Sequence, residues 1–360
     1  MILDRYVAGR FLLVLGAVLA TSLSVFVLVD LFDNIDTFID KEATANEIVR
    51  FYWFQIPYII QLILPISALI ACFFGIGGLA AHGEIDAMRA AGLSLSRILS
   101  PVFVCGVIIS AFATYLATSM IPESERTAKD IEMVEIKGRP KIDLQSRSNH
   151  TYDGLHGHKY FMRRWDGRRK RMLNVEIIRI EDQRVYEHVR AERAIWRDGM
   201  WVLEDGVARS FDGERETAFE AFERLARPDL PEQPEDFSTE KRKARELTLT
   251  ELMRRIDVRM RSGEPTALEK TNLHLRFSFP LSTLVLVLFG APLSTKRKKG
   301  GAWLSFTIYV VVGFLFVMFT RLLQTLGEHG SVQPLIAAWL PDGIFAILGV
   351  AMLGWRQRGH

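Results

Sequence analysis

Six apolar runs, each too long to sit in water, constrain this chain more than any local motif. Five are free of formal charge: Phe11 to Val29, Phe51 to Ala81, Ile98 to Ile121, Phe277 to Thr295 and Gly300 to Thr320. The sixth, Pro334 to Trp355, is broken only by Asp342. A bilayer's hydrocarbon core is about 30 Å thick and takes about 20 helical residues to cross. In lipid a helix satisfies its own backbone, whereas the same run in water would expose an insoluble surface. The chain therefore reads as a membrane protein of six transmembrane α-helices, three before and three after a long polar insert.

Whole-chain averages hide this division. The net charge of +3 mixes spans that carry almost no charge with an insert, Pro122 to Arg276, that carries most of it. Short loops rich in Lys and Arg stay in the cytoplasm. Arg5, Arg10, Arg89, Arg97, Lys296, Arg297, Lys298, Lys299, Arg356 and Arg358 all fall on one side of the expected topology. The alternate short loops carry Lys41, Arg50 and Arg321, and the first of them is acidic, with Asp33, Asp36, Asp40, Glu42 and Glu47. Both termini are expected in the cytoplasm and the insert outside. The first run is longer than a signal-peptide core and an acidic stretch follows it, so it reads as a retained span. Cys72 and Cys105 both lie in apolar spans, so the insert must hold together without disulfides.

Five Asp-Gly pairs punctuate that insert, beginning at Asp153, Asp166, Asp198, Asp205 and Asp212. Asp-Gly supplies the positive φ angles of tight hairpin turns, and β-branched or aromatic stretches such as Asn174 to Ile180 lie between the pairs. Ala194 to Leu203 places one such turn between two apolar arms and reads as a hairpin. The expectation is an inserted antiparallel β domain resembling a jelly roll. A Pro-rich acidic strip, Arg227 to Asp236, reads as loop, and Thr250 to Met260 has helical spacing that leads through a second short helix into span 4. The divisions are then 1–121 for spans 1–3, with a short cytoplasmic helix at about 83–92, and 122–246 for the β domain. A helical connector takes 247–276 and spans 4–6 take 277–360.

The usual catalytic motifs are absent. No Gly-x-x-x-x-Gly-Lys-Ser/Thr phosphate loop, His-Glu-x-x-His pair, Cys-x-x-Cys or Gly-x-Ser-x-Gly elbow occurs, so no catalytic residue, cofactor or nucleic-acid partner is assigned to this chain. His150, His156 and His158 cluster with Asp153, a set that could hold zinc or copper. A polar turn around Asp153-Gly154 explains the same residues, and no metal is assigned. Asp342 is the clear ionisable residue inside the apolar runs, and a carboxylate there is costly unless paired, neutralised or facing water. Arg321, near the outer end of span 5, could pair with it, and a carboxylate reaching the outer interface is the alternative.

The loop between spans 2 and 3 runs Ala80-Ala-His-Gly-Glu-Ile-Asp-Ala-Met-Arg-Ala-Ala-Gly-Leu-Ser-Leu-Ser-Arg97. Glu84 to Ala91 favours a helix, Gly92 suits the position that ends one, and Ser94 or Ser96 suits the cap of span 3. A short cytoplasmic helix between two membrane helices suits force transmission, because a partner pushing on it would tilt both spans. An ordinary surface loop is the plainer alternative.

Glu84 to Ser94 resembles the coupling-helix signature of the LptF/LptG lipopolysaccharide export permeases. Ile2 to Tyr6, Leu62-Ile-Leu-Pro65, His274 to Leu281 and Ala337 to Pro341 carry further likeness, and the Leu3-Asp-Arg-Tyr6 opening looks more like the LptG branch than LptF. The resemblance implies half of a transporter in the inner membrane of a Gram-negative bacterium. Its implied partners are a second LptF/LptG-type permease, an LptB-type ATPase homodimer that uses ATP and Mg, and an LptC/LptA-type periplasmic β bridge; its substrate is lipopolysaccharide. Glu84 would contact the ATPase, supported by Asp86 and Arg89. The acidic stretch Asp30, Asp33, Asp36 and Asp40 is an unexpected neighbour for lipid A phosphates. Headgroup contacts would then fall to Lys41, Arg50, Arg126 and Arg321, to the companion subunit, or to divalent cations bridging carboxylate and phosphate. Two other classes fit parts of the chain: a non-transporting relay or scaffold, and a membrane enzyme built on Asp342 or the His cluster.

Overall fold

The computed structural model describes residues 2–138, 146–181, 184–213, 215–234, 236–239, 243–261, 264–295 and 301–358. Two compact units result: Met1–Lys137 with Lys270–His360, and Gly138–Glu269.

In the first unit six helices are long and apolar enough to cross a membrane: Ile2–Asp40, Ala45–Ala81, Leu95–Ile136, Ala267–Ser294, Ser305–Glu328 and Pro334–Gln357. We number them spans 1 to 6. The first three have 39, 37 and 42 residues, about 55 Å or more at 1.5 Å per residue, and so outrun the hydrocarbon core. Span 3 continues past its apolar run because a π-helical turn at Leu116–Met120 loosens the winding just before Pro122, and helix-tolerant residues follow. Thr44 opens span 2 with a capping box: its hydroxyl accepts from Glu47 N and the Glu47 carboxylate accepts from Thr44 N.

The spans lock together in one buried cluster that includes Val7, Phe11 and Leu15 of span 1, Ala68, Ala71, Cys72 and Ile76 of span 2, and Val287 and Ala291 of span 4. A second cluster joins Leu69 to Leu286, Tyr309 and Phe316. Gly290 lets span 4 approach span 2, since a side-chain carbon there would press on Leu69 and Cys72. Ser110 Oγ of span 3 accepts from Leu284 N of span 4 at 3.1 Å. Burial is uneven: 67% of span 4's most apolar window lies inside the unit, against 6% for span 1.

The second unit contains the antiparallel β domain that the sequence predicts. Strands β1 (Ser146–Asp153), β2 (His158–Asp166), β3 (Arg171–Glu181), β4 (Arg184–Arg197), β5 (Met200–Asp212) and β6 (Arg215–Arg227) form one sheet in chain order. The Ala194–Leu203 hairpin is present in register, with Trp196 opposite Trp201 and a turn at Asp198 (φ 49°) and Gly199 (φ 81°). Asp205-Gly206 corrects the turn reading. It lies inside β5, where Asp205 takes φ 56° and Gly206 passes so close to the Arg190 carbonyl that a side chain would collide with it. The connector also differs: Leu249–Arg261 is a helix as expected, but the next helix, Ala267–Ser294, runs unbroken into span 4.

The acidic strip after β6 does more than connect. Phe237 inserts among Tyr152, Tyr160, Trp165 and Trp201, at centroid distances of 4.5, 5.2, 5.3 and 5.8 Å. Glu232, fully buried, accepts from Tyr160 Oη at 2.5 Å and from Leu155 N, while its own carbonyl accepts from Trp201 Nε1 at 2.8 Å. One carboxylate thus pins the β1–β2 turn to the strip. Burial pushes its pKa above the ordinary carboxylate range, against the pull of those donors.

Glu232→Ala should destabilise this unit by on the order of 3 kcal/mol, because two buried donors lose their acceptor. Pulse proteolysis of the full chain in detergent measures it. A carboxyl whose pKa is raised on folding contributes most below its unfolded pKa, and that contribution is lost as pH rises through the folded value. Relative to Glu232→Gln, the wild type should therefore lose stability as pH rises past the ordinary carboxylate range; parallel curves would show that folding does not shift this group.

Candidate functional site

The loop between spans 2 and 3 folds as its residue types require. Gly83 (φ 74°) starts a helix at Glu84–Ala90, Gly92 (φ 86°) follows it, and Ser94 caps span 3 by accepting from Arg97 N at 3.3 Å. Ile85 is the anchor: it is buried in the cluster that holds Val7, Leu79 and Leu95, with Met88 packed alongside. Asp86 is exposed, and Glu84 and Arg89 are half-buried on the rim. The three residues singled out by sequence therefore border one short platform whose underside is fixed.

Side chains outside the loop complete that platform. Tyr6 Oη donates to Glu84 Oε2 at 2.8 Å, and Arg97 donates to both carboxylate oxygens of Asp4, at 2.5 and 3.0 Å. Sequence reading noticed Asp4 and Tyr6 only as part of an opening motif. Partners this far apart along the chain leave no periodic trace. The basic loop Lys296–Lys299 lies outside the described residues.

At the opposite ends of the spans, Lys41 is exposed just beyond span 1. Arg50 donates to Glu135 at 2.8 Å, tying the start of span 2 to the end of span 3. Arg126 is half-buried on the extension of span 3, and exposed Arg321 donates to Gln324 at 3.0 Å. By span parity these four lie toward the same side. Asp30 accepts from Tyr52 Oη at 2.8 Å, while Asp33, Asp36 and Asp40 are exposed. Among the described residues no group of three or more His, Cys, Asp or Glu could hold a metal ion, at this acidic stretch or around His150, His156 and His158. His158 instead bonds through Nδ1 to the Leu155 carbonyl at 2.8 Å.

Asp342 is buried in span 6, and its partner is not Arg321. Ser282 of span 4 donates to Asp342 Oδ1 at 2.7 Å. Ser278, Ser282 and Thr283 form a buried polar patch on span 4, and Thr271 lies buried two turns earlier. Charge matching favoured arginine, but a hydroxyl on a packed helix satisfies a buried carboxyl without bringing a second charge into lipid. A serine one turn after Ser278 in an otherwise apolar span was the available signal.

The profile of the family described as lipopolysaccharide export system permease LptF/LptG matches residues 5–355. The lipopolysaccharide export system permease protein LptF of Escherichia coli K12 is 22% identical over 365 residues, covering 99% of this chain and 95% of the relative. The LptF proteins of Escherichia coli O157:H7 and Shigella flexneri align at the same 22% identity and the same coverage of 99% and 95%.

Removing the hydroxyl beside Asp342 tests that pair. Ser282→Ala should lower the stability of the detergent-purified protein by about 1–3 kcal/mol, since a buried acceptor loses its donor. Asp342→Asn keeps an acceptor for Ser282 and should cost less. Thermal unfolding followed by tryptophan fluorescence reads both, and a wild-type melting temperature for Ser282→Ala would show that the bond is not stabilising.

Proposed function

We infer the function from one premise: the chain belongs to the lipopolysaccharide export permease family LptF/LptG. On our reading it is one permease subunit of an ABC-type exporter in the inner membrane of a Gram-negative bacterium. A companion LptF/LptG-type permease supplies the other half of a cavity, into which lipopolysaccharide enters sideways. The β domain stands in the periplasm and passes the lipid to an LptC/LptA-type bridge. A separate LptB-type ATPase homodimer hydrolyses ATP with Mg on the cytoplasmic side, consistent with the lack of a phosphate loop in this chain.

The observation that carries this reading is the short helix Glu84–Ala90, fixed beneath by Ile85 and open above at Asp86. A rigid, acidic, shallow platform between two spans is what a separate motor needs to push on. Glu84 takes the motor contact, with Asp86 and Arg89 beside it. The exposed apolar side chains of span 1, including Leu13, Val25, Leu28 and Phe32, support a surface turned to lipid or to the companion permease. Lys41, Arg50, Arg126 and Arg321 are the headgroup contacts of this reading. Arg50 would exchange Glu135 for a phosphate.

Co-expression of the full chain with its companion permease and ATPase tests the whole assignment. The complex should copurify, carry bound lipopolysaccharide and export it in vesicles when ATP is supplied. Glu84→Ala should reduce ATPase recovery or lower lipid exported per ATP at least fivefold. A complex without lipopolysaccharide would overturn the transporter reading, and wild-type assembly and export in Glu84→Ala would overturn the site.

A further inference from the structure

Covalent connection ties the short helix Glu84–Ala90 to spans 2 and 3 only, yet the beginning of span 1 is also fastened to it and to the start of span 3. One hydrogen bond reaches the short helix directly, and two further contacts hold span 1 to span 3 and to the buried cluster beneath the helix. Tyr6 Oη donates to Glu84 Oε2 at 2.8 Å. Arg97, at the start of span 3, grips Asp4 with both terminal nitrogens and also donates to Ser100 Oγ at 3.0 Å. Val7 shares the buried cluster of Ile85 and Leu95.

The chemistry of these contacts suits positioning. A phenol donating to one carboxylate oxygen holds Glu84 Oε2 toward span 1, and Oε1 is left without a partner among the described residues. That oxygen is free to accept from an incoming cationic side chain. A guanidinium fork on a carboxylate fixes angle as well as distance, which a single hydrogen bond does not. Just beside the fork an open groove of about 710 Å³, lined by Ile2, Ala8, Pro101, Val104 and Cys105, separates spans 1 and 3. Apolar packing through Val7, Phe11, Leu95 and Leu99 joins the two spans on the buried side, and the polar clasp joins them at the open rim. Exposed ion pairs contribute little to stability; their value here lies in geometry.

We propose that Asp4 and Tyr6 are positioning residues for energy coupling: they hold the Glu84 carboxylate for its partner and make span 1 move with the short helix. The motor's push then reaches three spans instead of two. This rests on the reading of Glu84 as the motor contact.

The test uses the full chain reconstituted with its companion permease and ATPase in liposomes, reading lipopolysaccharide moved per ATP hydrolysed. Tyr6→Phe and Asp4→Arg should each lower that ratio at least threefold, while ATPase copurification stays within twofold of wild type. The double variant Asp4→Arg with Arg97→Asp rebuilds the fork in reverse and should recover the ratio to within twofold. A purely structural role would cut yield and assembly and leave the ratio unchanged. Wild-type ratios for Tyr6→Phe and Asp4→Arg beside an impaired Glu84→Ala would overturn the clasp and leave the motor contact standing. A loss in Asp4→Arg that Arg97→Asp does not repair would also count against it. An unimpaired Glu84→Ala would overturn the motor contact, and the clasp with it.

Discussion

Every crossing of the bilayer must satisfy its own backbone hydrogen bonds, and the rest of this structure is arranged around that requirement. All six spans are helices, and their polar side chains mostly turn back on the same helix. Thr21 donates to Ala17 O, Ser24 to Ala20 O, Thr114 to Ser110 O and Thr320 to Phe316 O, each about one turn away. Hydroxyls thereby enter lipid without adding an unpaired donor. Departures from regular winding fall where neighbours support them. Span 2 takes a π-helical turn at Cys72–Ile76, where Cys72 and Ile76 pack against span 1 and Gly75 touches its backbone.

The β domain meets the opposite problem. It has neither lipid nor disulfides to confine it, since both cysteines lie in the spans. Four aromatic side chains surround Phe237, and the Glu232 carboxylate ties the strip to the β1–β2 turn. A second clasp closes the end of β6, where Arg227 donates to Glu187 Oε1 and Oε2 at 3.0 and 2.8 Å and to Asp229 at 2.7 Å. Opposite charges with fixed geometry here do the work that cross-links do in small exported domains.

The spans, the inserted antiparallel domain and the short helix between Gly83 and Gly92 were legible because each follows from local composition. An apolar run, an Asp-Gly turn and a serine cap act over a few residues. What escaped were pairings across long separations: Tyr6 with Glu84, Asp4 with Arg97, Ser282 with Asp342, and Glu232 with Tyr160. Arg227 to Asp236 reads as a loop because its prolines break regular structure, yet its Glu232 is fully buried. Asp205-Gly206 had the letters of a turn and the job of letting two strands pass closely. Composition carries no signal that separates those two uses.

The contrast between spans 1 and 4 has a consequence for biosynthesis. Chains are made from the amino end, so span 1 enters the membrane before the other five spans. It is the most apolar of the six and the least covered, able to settle in lipid alone. Span 4 is the least apolar and the most covered, and carries Ser278, Ser282 and Thr283 on buried faces. It arrives when the first three spans are in place and Ser110 is ready to receive Leu284 N, but Asp342 is still unmade. Until span 6 follows, Ser282 must wait without its carboxyl partner. In that interval the Ser282 hydroxyl falls back on the Ser278 carbonyl of its own helix, 3.3 Å away.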